Sequence, residues 1–216
     1  MKKLNNFTRD RYYFISDQNF SNEYIFDKDF SESTIDQVHF QNCTFDSTSF
    51  TQSQCENLIF NNCILKTISF RKAELTDFYF QGCKLKGILF VGAELGQFHF
   101  SQCKLEYVNF SYCDLSDFIF DKSQLEEISF KSSILDNIRI QNSTLKKIDY
   151  SQAIISKRSF KNGKVSFERT PIRNYATFLK EVTLTDKVLE YSWRLLGSVG
   201  FIILIGFIGS YLSHQI

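Results

Sequence analysis

The chain has 216 residues, 25 basic and 24 acidic, for a formal charge of +1, with one Pro and nine Gly. So even a balance argues against bulk nucleic-acid binding, which needs a strongly basic face. So little Pro and Gly excludes collagen-like and linker-like chains. Phe is the outlier at 24 residues beside one Trp and one Met, as expected if one structural slot is filled many times.

Residues 1–15 read as an N-terminal cap, with Phe7, Tyr12, Tyr13 and Phe14 as apolar cover. Met1-Lys2-Lys3-Leu4 leads into a polar, aromatic stretch without the apolar core of a secretory signal. The expectation is a cytoplasmic chain with reduced thiols. Six cysteines, at 43, 55, 63, 83, 103 and 113, form no CxxC pair, which disfavours a zinc knuckle or a thioredoxin-type site.

From residue 16 to 160 one pattern repeats. Every tenth residue from Phe20 to Phe130 is Phe, continued by Ile140, Tyr150 and Phe160. Halfway between runs a second series, from Ile25 and Ile35 through Phe45 and Cys55 to Leu65–Leu145 in tens, then Ile155. Two residues before the second series the side chain is small, as at Ser33, Cys43, Ala73 and Cys113; before the Phe series it is usually larger, as at Val38, Leu58 and Ile68. Two inward side chains separated by one outward side chain is strand alternation. It lasts three residues before two polar positions intervene. A helix cannot hold a period of five on one face, because five residues turn about 500°. A chain that turns a corner every five residues can.

Ala73-Glu74-Leu75-Thr76-Asp77, Ala93-Glu94-Leu95-Gly96-Gln97 and Cys113-Asp114-Leu115-Ser116-Asp117 resemble the repeating unit of the pentapeptide-repeat family. The resemblance covers about two-thirds of the chain. It implies an all-β solenoid, a right-handed quadrilateral β-helix of about seven coils, roughly 34 Å long at the usual strand spacing, followed by a C-terminal α-helical region. Phe78, Phe98 and Phe118 depart from the family's preference for small residues at that position and are expected to widen or tilt one face.

With four pentapeptides per coil, residues 20 apart stack. Cys43, Cys63, Cys83 and Cys103 then form an inner column, read as buried packing and not as a metal or redox site. Outside, Glu74, Glu94 and Asp114 form an acidic ladder, with Arg71, Lys72 and Lys122 near enough to relieve it, and Lys84 and Lys104 stack on the facing side. His39, Ile59, Tyr79, His99 and Ile119 form an outward column that is apolar or aromatic at three positions. Such a stripe is a candidate protein-binding surface. Its two histidines, three coils apart, are too distant to share a metal. Along the rod, residues 16–65 carry eight acids and one base, and residues 66–160 eleven acids and thirteen bases. The expectation is one acidic end.

Residues 161–184 read as a hairpin turning at Asn162-Gly163, followed by a capping helix that starts at Thr170-Pro171. Residues 185–216 read as a hydrophobic helix. Leu195–Leu212 is 18 residues without a charge, eleven of them Leu, Ile, Val or Phe, and long enough to cross a bilayer core. Leu195, Phe201, Ile203, Ile205 and Phe207 would face lipid, and Trp193 and Tyr211 would sit at the two interfaces. Lys187 and Arg194 on the N-terminal side keep the rod in the cytoplasm by the positive-inside rule. A soluble helix pairing two copies is the competing reading.

No phosphate loop, HExxH or GxSxG occurs, so no enzyme, cofactor or metal is expected. Solenoids offer long regular faces suited to recognition. The sequence points to a membrane-tethered scaffold for a protein partner, without direct nucleic-acid binding. Some members of the resembled family resist gyrase-targeting drugs by imitating acidic DNA. That is the alternative, and the summed charge along this chain makes it a poor imitation.

Overall fold

The corners set the shape. The computed structural model describes residues 12–156 and the strand Val165–Phe167. From Asp17 to Gln152 every fifth residue has a positive φ, between 49° and 69°. Twenty-five of these corners are not glycine, although a left-handed L-residue costs roughly 1–2 kcal/mol. Asn and Asp, which tolerate this region best, fill ten of them, among them Asn22, Asn42, Asp77 and Asp117. Many corner amides are bonded to a neighbouring coil, as from Asn22 to the Gln41 carbonyl at 2.9 Å and from Asn62 to that of Gln81 at 2.8 Å.

Four corners close a coil of 20 residues. Ile15 pairs with Ile35, Ile35 with Cys55, Cys55 with Leu75 and Leu75 with Leu95, all in parallel. The fold is therefore a quadrilateral parallel β-solenoid of about seven coils. Face 1 is centred on Ile15 and every twentieth residue after it, face 2 on the Phe20 series, face 3 on the Ile25 series and face 4 on the Phe30 series. Faces 1 and 2 share a ten-stranded sheet, because strands such as Glu74–Gln81 run round the corner between them. Face 3 carries an eight-stranded sheet, and face 4 is joined mainly by single bridges such as Ser69 to Leu89. Between faces 4 and 1 a hydrogen-bonded turn closes the coil, with the Ala93 amide donating to the Phe90 carbonyl at 2.8 Å.

The interior is a set of ring columns. Phe20 to Phe120 stack on face 2 with centroids 4.8–5.6 Å apart. Phe30 to Tyr150 do the same on face 4 at 4.8–5.4 Å. Phe78, Phe98 and Phe118 form a third column at 4.9 and 4.7 Å. They stand at 87° to Phe70, Phe90 and Phe110 across the tube. The bulky residues that the sequence marks as departures thus brace face 2 against face 4. In an earlier coil Phe45 of face 3 supplies the edge-on ring, 5.0 Å from Phe40.

The start of the rod differs from expectation. Tyr12 and Phe14, assigned to the apolar cover, are 74% and 75% exposed. The first strand begins at Phe14, so this pair already follows the outward alternation of face 1, while Tyr13 turns in against Phe30 at 5.8 Å. At the far end Val165–Phe167 lies parallel to Ser143–Asp149, with Ser143 beside Val165. The offset is 22 residues instead of 20, and this strand extends the face 3 sheet. The Asn162-Gly163 turn, the helix read from Thr170 and the hydrophobic stretch with Trp193, Leu195, Phe201, Ile203, Ile205, Phe207 and Tyr211 lie outside the described residues. Among the described residues no helix is long and apolar enough to cross a membrane.

Phe98 is fully buried and touches rings on three sides. Phe98→Ala is expected to lower unfolding free energy by about 3–5 kcal/mol, read from the urea midpoint. Leu89→Ala, on the outer surface of face 4, should cost far less.

Candidate interaction faces

Sorting the outward residues by face reveals what the linear sequence hides. On face 1 and the corner that follows it stand Asp17, Asp36, Glu56, Glu74, Asp77, Glu94, Asp114, Asp117 and Asp136, and among the described residues not one Lys or Arg. Glu74, Glu94 and Asp114 are in register, one above the next, as the acidic ladder requires. The cations expected to relieve them do not: the recorded ion pairs of the described residues involve Lys86, Lys104, Lys146 and Lys147. Neutral amides stand in. Gln54 donates to Glu74 at 3.1 Å, Asn57 to Asp36 at 3.0 Å, and Asn137 to Asp117. An amide satisfies a carboxylate lone pair without cancelling its charge.

The acids flank a trough. Thr76, Gly96 and Ser116 form one low rank opposite the Glu74, Glu94 and Asp114 rank, leaving a hollow of about 590 Å³. A second hollow of about 320 Å³ continues it through Asp36, Gln54 and Glu56. A methyl group on Gly96 would find ordinary room, 3.7 Å from the Ser116 hydroxyl, so glycine is not forced there by packing.

The face 2 column is in register as predicted: His39, Ile59, Tyr79, His99 and Ile119 follow one another coil by coil. His39 and Tyr79 are exposed, while Ile59, His99 and Ile119 are half-buried. The Tyr79 and His99 rings lie 6.2 Å apart. Beside His39 and Ile59, with Asn19, Gln37 and Asn57, is a hollow of about 360 Å³. The column is less continuously apolar than face 1 is acidic, because Asn19 and Arg139 bound it.

Face 3, opposite the acids, holds Lys66, Lys84, Lys86, Lys104 and Lys146. Its carboxylates answer them. Glu106 bonds Lys104 and lies 3.8 Å from Lys86, and Glu126 lies 3.0 Å from Lys146. The bond from Lys104 holds the Glu106 carboxyl below its ordinary range. The rod is thus charged across its section, not only along its length.

Inside, all six cysteines are buried free thiols. The column has a definite task. Cys43, Cys63, Cys83 and Cys103 donate to the carbonyls of Phe20, Phe40, Phe60 and Phe80 at 3.2–3.5 Å, and Ser123 and Ser143 do the same for Phe100 and Phe120. Burial pushes Cys55 up to about 12 and Cys113 to about 11. The neighbouring Cys103 thiol above all raises Cys83 to about 12, and the same interaction lowers Cys103. No group of three or more His, Cys, Asp or Glu among the described residues is placed to hold a metal ion.

That Asp36, Glu56, Asp77, Asp117 and Asp136 share one face is not captured by the sequence reading, which counts the first two only as part of an acidic end. The signal is available: writing the chain in rows of 20 puts them in the rows and corners of one face. Summing charge along the chain mixes Asp77, Asp117 and Asp136 with the lysines of face 3.

Four flat faces on a coil of 20 define the class, a parallel β-solenoid that presents ordered columns of side chains. Residues 54–130 match the family described as a pentapeptide repeat region, and the same register continues on both sides of that segment. Among solved structures it is similar to a trypsin-treated variant of QnrB1, a plasmid-mediated fluoroquinolone resistance protein. That match is 18% identical, covers 83% of this chain and 93% of the other, and has a TM-score of 0.55. It is also similar to HetL, a pentapeptide repeat protein involved in heterocyst differentiation regulation from the cyanobacterium Nostoc sp. strain PCC 7120. There the identity is 11%, the coverage 70% and 94%, and the TM-score 0.27. No curated protein matches the sequence.

The thiols make a pH prediction. Cys113 is raised from an ordinary 9.0 to about 11 in the folded chain, so its contribution is present below pH 9 and fades as pH climbs toward 11. Ser133, one coil on, already bonds the equivalent carbonyl of Phe110, so Cys113→Ser should fold. Its urea midpoint should fall less than that of the unaltered chain between pH 9 and 11, by up to about 2–3 kcal/mol of stability.

Proposed function

We propose that the chain is a non-enzymatic interaction scaffold, tethered to a membrane through Leu195–Leu212 with the repeat rod in the cytoplasm, and that face 1 receives a cationic protein partner. The observation that carries the partner reading is the set of nine carboxylates on face 1 and its corner without one Lys or Arg among the described residues. A rigid sheet surface with its charge held in fixed ranks favours orientation and fast association of an oppositely charged protein. The tether rests on the uncharged length of residues 195–212.

A second reading gains from the same observation. From Asp17 to Asp136 the nine carboxylates span about 29 Å at the usual strand spacing, or roughly one per 3 Å. One strand of DNA carries a charge every ~3.4 Å. Face 1 alone therefore approaches the charge density of a single strand, although the summed charge of the chain does not. Topoisomerase protection by DNA imitation stands beside the scaffold reading on that ground. QnrB1, similar in fold, is described as a fluoroquinolone resistance protein.

Three experiments separate the parts. Full-length chain should fractionate with membranes and chain lacking residues 195–216 should not; a full-length chain in the soluble fraction overturns the tether. Glu74→Lys/Glu94→Lys/Asp114→Lys should abolish capture of the specific partner from detergent extracts while leaving the urea midpoint nearly unchanged. An unchanged capture list removes face 1 from the reading. With purified gyrase, protection from a fluoroquinolone that this same variant loses would select the second reading.

A further inference from the structure

Face 4 differs in kind from the other three. Between Ser47 and Tyr112 neither its two outward ranks nor its two corners contain an acid. At its centre Leu89 and Val91 lie half-buried on the surface, and the corners on either side are Gly87 and Gly92. Neither glycine is required by crowding: the nearest atoms to an added methyl are 3.8 and 3.9 Å away. One coil further on the same corners carry Tyr107 and Tyr112, 51% and 62% exposed. Cations surround this apolar floor. Arg71 and Lys72 lie one coil before it, Lys131 two coils after, and Lys66 and Lys86 stand along the face 3 edge, with the Lys86 ammonium 5.7 Å above the Tyr107 ring. The serine and threonine hydroxyls of the face bond one another, Ser31 to Ser49 at 2.8 Å, Thr51 to Ser69 at 3.0 Å and Ser111 to Ser129 at 2.9 Å. These short side chains keep the surface flat. The hollows described above lie on faces 1 and 2.

We propose that face 4 is a membrane-contact face, on which the rod lies against an anionic bilayer surface. Aliphatic side chains flush with the surface, two amphipathic tyrosines and the bordering cations Arg71, Lys72, Lys131, Lys66 and Lys86, the last shared with Glu106 at 3.8 Å, match the layered chemistry of a bilayer interface. There tyrosine sits at headgroup depth and each Lys or Arg gains from anionic lipid. A protein hot spot would call for a pocket that takes an anchor side chain, and this face is flat. The carboxylates of face 1 lie round the corner, turned away from such a bilayer and left for a soluble partner. The inference deepens the proposed membrane attachment, and it is tested at residues of the rod and not at those of the proposed anchor.

The test uses the full chain with Trp193→Phe, so that a single tryptophan introduced at Leu89 reports on face 4, and one at Tyr79 reports on face 2 as control. Vesicles contain brominated phosphatidylcholine with or without phosphatidylserine. The expected result is quenching of the Leu89→Trp emission in phosphatidylserine vesicles, loss of that quenching at 0.5 M salt (about 4 Å of screening length), and little quenching at Tyr79→Trp. Arg71→Glu/Lys72→Glu/Lys131→Glu in the Leu89→Trp background should abolish it while circular dichroism stays unchanged. If the chain floats with vesicles but Leu89→Trp is quenched no more than Tyr79→Trp, face 4 is overturned and the anchor stands. If quenching at Leu89 persists after residues 195–216 lose their hydrophobic character through Ile203→Asp/Ile205→Asp, face 4 stands without the anchor. Binding of an oligonucleotide or a soluble protein that shifts Leu89→Trp emission in the absence of any vesicle effect overturns the lipid assignment.

Discussion

A backbone bent into the left-handed region at every fifth residue is the constraint on which the rest of the molecule depends. It is an expensive conformation for most of the side chains that adopt it here, and no single corner stabilises itself. What holds it is the neighbouring coil. Each bend places two side chains of a face inside, over the equivalent pair of the coil before, and the phenyl columns are the outcome of that stacking. Phe78, Phe98 and Phe118 then tie two columns together at right angles. Stability in such an object is cooperative between neighbours and nearly uniform along the rod, as in other solenoids.

The same lattice that hides the aromatic residues sorts the charged ones. A residue's face follows from its place in a row of 20, so charges far apart in sequence become neighbours. Face 3 mixes Lys with Glu and pairs them. Face 1 meets the mutual repulsion of its carboxylates with Gln54, Asn57 and Asn137. This choice of neutral donors preserves an outward field that lysines would have quenched. Repulsion between exposed carboxylates one strand apart is modest in water, so the fold can carry the arrangement without a large penalty.

Most of the architecture could be read before any coordinates were seen, because period, inward positions and register are all linear properties. The columns His39 to Ile119 and Glu74 to Asp114 appear where the spacing puts them. The charge pattern was only partly legible. Asp77 and Asp117 occupy corners, and Asp36, Glu56 and Asp136 sit on the opposite rank from the ladder, so a sum along the chain shows an acidic end and not an acidic face. The role of the inner cysteines was hidden for another reason. Burial of Cys43 or Cys83 follows from position, but donation to the Phe20 or Phe60 carbonyl depends on where the backbone of the preceding coil turns.

Because a face is a residue number taken modulo 20, the lattice has a strict grammar for changes of length. Gain or loss of one pentapeptide would keep every phenylalanine inside yet rotate all downstream surface by a quarter turn, splicing the carboxylates of one side onto the lysines of another. Only whole coils can be added or removed without scrambling the outer surface. A lineage of such proteins can therefore drift freely in the identity of its outward residues, while any change in its length stays locked to whole multiples of one coil.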